Sequence, residues 1–216
     1  MLFRSCTLVN LLASSSARGQ AGRIDTTFSP DIPTNANVWS LLVQPDGRIL
    51  AAGTSPNAGQ APIWRLNPDG TRDKSFAPGT GPNGMVMALA MQPDGRILVA
   101  GAFSEVSGVR RSQVARLNQD GSVDPSFGSD GSGPTSNFTR AIAIQGDGRI
   151  LLGGAFNAVS GVSRPGVARL LENGALDTGF DPGGPQSFGV QGVAVLPGGK
   201  ITFYTGIIRK LNLKVE

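Results

Sequence analysis

One pattern recurs along this chain: an apolar run, a tight turn and a second apolar run, as in "VQPDGRILAAG", "MQPDGRILVAG" and "IQGDGRILLGG". The turn aspartates Asp46, Asp94 and Asp147 return about every fifty residues, and Gly198 holds the matching place in "LPGGK". Phe28, Phe76, Phe127 and Phe180 keep the same period. Such self-similarity restricts the fold to arrays whose units bury their faces against one another. Four short strands per unit single out an all-β propeller. The 31 glycines and 15 prolines among 216 residues suit short strands joined by tight turns, and no helical periodicity competes with that reading.

Within a unit the first strand reads "WSLLV", "MALAM", "RAIAI" or "QGVAV", and the second "RILAAG", "RILVAG", "RILLGG" or "KITFYT". These runs are apolar on both faces, as expected of strands covered by a sheet on each side. Ser40, Ala88, Ala141 and Gly192 share one position, and Leu41, Leu89, Ile142 and Val193 the next. Small beside large at fixed register lets neighbouring sheets approach near a crowded axis. The expected four-stranded blades are residues 38–76, 85–127, 138–180 and 190–213, the last completed by 22–28.

The third strand, "IWRLN", "VARLN", "VARLL" or "IRKLN", leads through a turn such as "PDG" into a fourth that ends in Asp-x-x-Phe. A Pro-Asp-Gly turn with a left-handed glycine sets the pairing register. By that register Arg65 faces Asp73, Arg116 faces Asp124 and Arg169 faces Asp177. These pairs are expected to be structural cross-strand ion pairs of at most about 1 kcal/mol. The last unit stops after three strands, while the chain begins with an orphan fourth strand, "GRIDTTF". Joining the two in one blade pairs Lys210 with Asp25 and closes a ring of about four blades.

The "QPDGRILVAG" hairpin followed by "VARLNQDGSVDPSF" closely resembles the delta-60 repeat, a bacterial repeat of uncharacterised role, over roughly residues 22–213. The segments "GAFSEVSGV" and "GAFNAVSGV" fit the same repeat. The resemblance implies a β-propeller in a secreted or cell-envelope setting. It brings no reaction, cofactor or catalytic residue with it.

The chemistry open to the chain is narrow. With no histidine, a nucleophile–histidine–acid arrangement and the commonest metal ligand are both missing. The single cysteine, Cys6, forms no internal disulfide. Asp69 with Asp73, and Asp120 with Asp124, are candidate carboxylate pairs for hydrolysis or calcium binding, but their place around a tight turn favours a structural role. No cofactor is expected. The net charge of +4 is scattered rather than clustered, which argues against a nucleic-acid partner.

Residues 1–21 combine Arg4, an apolar stretch from Cys6 to Ala13 and small residues at Ala17 and Ala21, the pattern of a secretory leader. No stretch approaches the roughly 18 apolar residues of a membrane span. The longer loops, 102–113 and 155–166, carry Glu105, Arg110, Arg111 and Arg164 and form the expected binding face. The function expected is therefore a secreted, non-enzymatic module that binds a protein or glycan through that face. The alternatives are a carboxylate hydrolase, a calcium-dependent lectin-like domain, or a fragment of a longer array that self-associates through open edges.

Overall fold

The computed structural model describes residues 26–54, 63–128, 133–183 and 189–205, and among these there is no helix. The first sheet is β1 (Asn37–Val43), β2 (Ile49–Thr54) and β3 (Ile63–Leu66). In the second, β4 (Met85–Met91) and β5 (Ile97–Ala102) are followed by a small hairpin, β6 (Glu105–Val106) and β7 (Val109–Arg110), before β8 (Val114–Leu117) returns beside β5. After the short β9 (Pro134–Thr135), the third sheet repeats the plan. Its strands β10 (Thr139–Ile144) and β11 (Ile150–Gly154) are followed by a hairpin, β12 (Ala158–Val159) and β13 (Val162–Ser163), that pairs with β9 as a separate small sheet, before β14 (Val167–Leu170) returns beside β11. A fourth sheet is formed by β15 (Val190–Val195) and β16 (Ile201–Thr205). All pairings are antiparallel.

The turn chemistry explains the regular hairpins. Asp46, Asp94 and Asp147 each accept the backbone N–H two residues on through Oδ1, and Gly47, Gly95 and Gly148 all take φ +83°. That left-handed conformation suits glycine and fixes the register of the strands that follow. The middle strands β2, β5 and β11 are almost wholly buried. Leu50 and Ala52 of sheet one meet Ile97, Val99 and Leu117 of sheet two, with Phe76 between them. Leu98 and Ala100 meet Leu152 and Leu170 of sheet three around Phe127 and Phe156. First strands lie against first strands in succession, β1 on β4, β4 on β10 and β10 on β15, which places them innermost about a common axis.

Each first strand carries a bulge at the same place. The register slips between Val38 and Ser40, Val86 and Ala88, Thr139 and Ala141, and Val190 and Gly192. The extra residues are Trp39, Met87, Arg140 and Gln191. Opposite three of the bulges stands a glycine, because the bulged strand brings its carbonyl onto the partner backbone. A Cβ at Gly53 would lie 1.8 Å from the Asn37 oxygen, one at Gly101 1.9 Å from that of Met85, and one at Gly154 2.3 Å from that of Phe138. The glycine ending "RILAAG", "RILVAG" and "RILLGG" thus leaves room for the bulged strand in the first three sheets, whereas Thr205 stands opposite Val190 in the fourth.

Three expectations need correction or limits. The first three blades have three full strands each, and their fourth is reduced to single bridges, Leu66 to Arg72, Leu117 to Val123 and Leu170 to Leu176. The cause is local: Asp73 and Asp124 accept the backbone N–H of Ser75 and Ser126, and Asp177 that of Gly179, bending the chain away from the ladder. Second, β1 is not covered on both sides, since Trp39, Leu41 and Val43 are exposed along one face. Third, the closing strand and the Lys210–Asp25 pair lie outside the described residues, as does the leader. Phe28 does pack on Ile49 and Leu66 of sheet one, and Asp31 N–H donates to the Gly70 carbonyl. Ala77 and Gly128 likewise donate to the turns of the second and third units, so the N-terminal segment sits as the tail of a preceding unit would.

Substituting Gly101→Ala is expected to cost about 3 kcal/mol or more, because the clash is with backbone. Gly146→Ala, where a Cβ meets nothing within 4 Å, is expected to stay within about 0.5 kcal/mol. Urea denaturation of both variants measures the contrast, and equal stabilities would refute this account of the bulge.

Candidate functional site

The two ends of the blades differ in what they offer. At one end lie the tight turns and, between the first two units, a cavity of about 610 Å³ lined by Asp46, Arg48, Arg65, Gln92 and Asp120 among others. The charges here are spoken for. Arg65 Nε donates to Asp73 Oδ2 at 2.7 Å, and Arg116 to Asp124 and Arg169 to Asp177 each at 2.8 Å. A second arginine approaches each of these acids: Arg48 at 3.6 Å, Arg96 at 3.6 Å and Arg149 at 3.4 Å.

The structure places Arg65, Asp73, Arg116 and Asp124 in the interior, all at most 7% exposed. Burial of such groups is tolerated only when every polar atom is partnered. Asp73 Oδ1 also accepts from the Ser75 backbone and hydroxyl, and Asp124 from Ser126 in the same way. The guanidinium of Arg65 lies over Phe76 at 4.7 Å and that of Arg116 over Phe127 at 4.8 Å. Each then reaches the next unit: Arg65 donates to the Gln119 carbonyl, and Arg116 to the Glu172 carbonyl at 2.7 Å. Each latch therefore spans two blades. Burial alone raises the Asp73 pKa, yet the hydrogen bonds from Ser75 and Arg65 outweigh it and hold the carboxyl at about 2. Asp124 is held low by the same balance.

Asp69 and Asp120, the partners offered for catalysis or calcium, are engaged one turn away. Asp69 accepts the Thr71 backbone N–H at 2.9 Å and hydroxyl at 2.7 Å, and Asp120 those of Ser122 at the same distances. These bonds hold both carboxyls below their ordinary range. Among the described residues no group of three or more acidic or thiol side chains converges as a metal site would require.

At the opposite end, β6–β7 and β12–β13 project from the second and third units. Their tips are Ser107–Gly108 and Ser160–Gly161, with φ of 50° and 77° and of 51° and 78°, the double positive φ of a type I′ turn. Glu105 and Arg110 are exposed here, as are Val109 and Val162. Arg111 and Arg164 are not: at 5% and 6% exposure they correct the expectation of a surface role. Arg111 donates to the carbonyls of Arg110, Asp124 and Pro125, and Arg164 to those of Ser163 and Thr178 and to Asp181. Free carbonyls beside a folded loop capture a guanidinium readily, so these two side chains pin the hairpins to the blades.

The bulges bring together residues that sequence reasoning missed. Trp39, Met87, Arg140 and Gln191, one from each sheet, line a cavity of about 500 Å³ with Met85 and Tyr204. It opens at the end from which the hairpins leave, since Met85 pairs with Ala102 just before β6. The available signal was a position that differs in every unit beside positions that scarcely change.

Sheets stacked about an axis with first strands innermost define a β-propeller. Residues 44–76, 92–127 and 145–180 match the family described as a domain of unknown function (DUF5122) beta-propeller, which makes the chain a β-propeller repeat protein. No curated protein matches it. Among solved structures it is similar to the WD40 β-propeller domain of Doa1, at 19% identity and a TM-score of 0.53, covering 79% of this chain and 48% of that one. It is also similar to a putative oxidoreductase (glucose dehydrogenase) of Thermus thermophilus, at 17% identity and a TM-score of 0.52, covering 91% of this chain and 76% of that one. The chain thus spans about half the length of the Doa1 structure. At these identities the likeness is one of fold.

Each family segment runs from the hairpin turn to the phenylalanine and so contains one Arg–Asp pair, while the carbonyl that Arg65 or Arg116 reaches lies in the next segment. The folded-state pKa of Asp73, about 2, lies below its ordinary 3.8, so its contribution is complete above about pH 4 and is lost as pH falls through 2. Asp73→Asn is expected to cost about 3 kcal/mol at pH 7, since Arg65 loses its carboxylate, and to flatten the fall in stability between pH 4 and pH 2. Chemical denaturation across that range checks both; an unchanged acid limb would refute the assignment.

Proposed function

We propose that the chain is a non-enzymatic binding module that works in the secreted or cell-envelope space and holds a protein or glycan at its hairpin-bearing end. The observation that carries this reading is the contrast between the two ends. The recurring carboxylates at the turn end are consumed by arginines and backbone, whereas the hairpins present Glu105, Val109, Arg110 and Val162 to solvent. Those hairpins are held in place before any ligand arrives. Val106 bridges to Pro82, Asn83 Oδ1 accepts the N–H groups of Ser104 and Glu105, and β12 pairs with β9. A rigid loop loses little entropy on binding. The basic, apolar and small-residue pattern of residues 1–21 supports export.

Replacing Val109, Arg110 and Val162 together with Ser tests the reading. Stability is expected to change by no more than about 0.5 kcal/mol per site. Binding to a glycan array, or crosslinking to native envelope proteins, is expected to be lost. Binding that survives the triple change would move the site elsewhere.

A second reading, that the chain is part of a longer array or assembles through an open edge, is favoured by one feature. Leu41, at 47% exposure, occupies the position whose counterparts Leu89 and Ile142 pack against the preceding sheet. Sedimentation velocity is expected to show concentration-dependent association that the Leu41→Lys change abolishes; a monomer at all concentrations would exclude this reading.

A further inference from the structure

The four bulge residues line one cavity whose chemistry no part of the frame accounts for. A bulge removes its extra residue from the ladder and re-aims the side chain. Here it does so once in each sheet, and the four side chains meet at the axial cavity of about 500 Å³. That volume falls in the range of small-molecule sites.

Arg140 is the decisive member. It is half-buried, its guanidinium stands 5.0 Å over the Phe138 ring, and its Nε is buried with no hydrogen-bond partner. Among the described residues it is the partly buried arginine with neither a carboxylate nor a carbonyl partner. Arg65, Arg116, Arg164 and Arg169 have acids, Arg111 has carbonyls, and Arg72 has the Asp31 carbonyl. A guanidinium partly withdrawn from water without a counter-charge is at a disadvantage, and an anion delivered to it is held by charge-assisted, fork-shaped bonding. The remaining wall gives that anion a body. Trp39 and Tyr204 offer ring faces, Met85 and Met87 polarisable thioethers, and Gln191 an amide that both donates and accepts.

We propose that this cavity is a binding site for a ring-borne carboxylate, with the acid on Arg140 and the ring against Trp39 and Tyr204. It deepens the binding reading above by giving the same end a ligand class, but it involves none of the hairpin residues.

Calorimetric titration with digalacturonate and with phenylacetate distinguishes an acidic sugar from an aromatic acid as the source. Lactose and benzyl alcohol serve as the uncharged counterparts. At least one acid is expected to bind at least about tenfold more tightly than its neutral counterpart, and Arg140→Gln to remove that advantage. In amide NMR spectra the indole N–H of Trp39 is expected to shift on binding, while that of the buried Trp64 stays fixed. Should Arg140→Gln not fold, Trp39→Ala in the intact frame is expected to weaken the same acid. If neither acid binds, if Arg140→Gln leaves the preference intact, or if Trp39 does not respond, the proposal is overturned. The triple hairpin variant keeps acid binding if the two sites are separate, so failure of one reading is told apart from failure of the other.

Discussion

The architecture turns on a guanidinium buried between two blades. Arg65 and Arg116 each hold an acid of their own unit through Nε and a carbonyl of the following unit through Nη1. Neither bond is optional once the side chain is enclosed, because an unpartnered buried charge costs more than the pair gains. A single unit therefore has no low-energy place for its arginine. The backbone repeats the logic, with Ala77 donating to Asp120 and Gly128 to Asn173 across the same seam. Stability is shared between neighbours, as in other repeat arrays where the interface term outweighs the intrinsic stability of one unit.

Much of this was legible in the sequence because turns fix register. Asn67 opposite Thr71 forces Arg65 opposite Asp73, and the three pairs sit where that count puts them. Their burial was not legible, since the third partner is a backbone carbonyl of the next unit, and a carbonyl leaves no mark in the residue alphabet. Arg111 and Arg164 were misread for the same reason: a charged side chain in a polar loop looks free until the carbonyls around it are known. The shortened fourth strand was hidden by a similar local competition, in which an Asp side chain captures the N–H that would have continued the ladder.

The same accounting explains why the recurring carboxylates of the turns are ill suited to acid–base chemistry. A general acid or base needs a proton affinity near the working pH and a lone pair free for substrate. Asp69, Asp73, Asp120 and Asp124 are displaced in the opposite direction by donors that occupy their lone pairs. Asp73 and Asp124 seat arginines and bend the chain off the ladder, while Asp69 and Asp120 order the preceding turn, and recurrence is what a structural task in a repeat protein predicts.

Variation carries the opposite message. The position after each bulge must be small: Ser40 Oγ accepts the Leu89 N–H of the next sheet at 3.1 Å, and Ala88, Ala141 and Gly192 keep that approach open. The bulge residue itself has no ladder partner, so its identity can change without disturbing the sheet. Tryptophan, methionine, arginine and glutamine at that one position share a backbone conformation and nothing else. A frame held by recurring latches at one end is thereby free to vary its chemistry at the other. In this chain, that freedom places a lone guanidinium beside two aromatic rings.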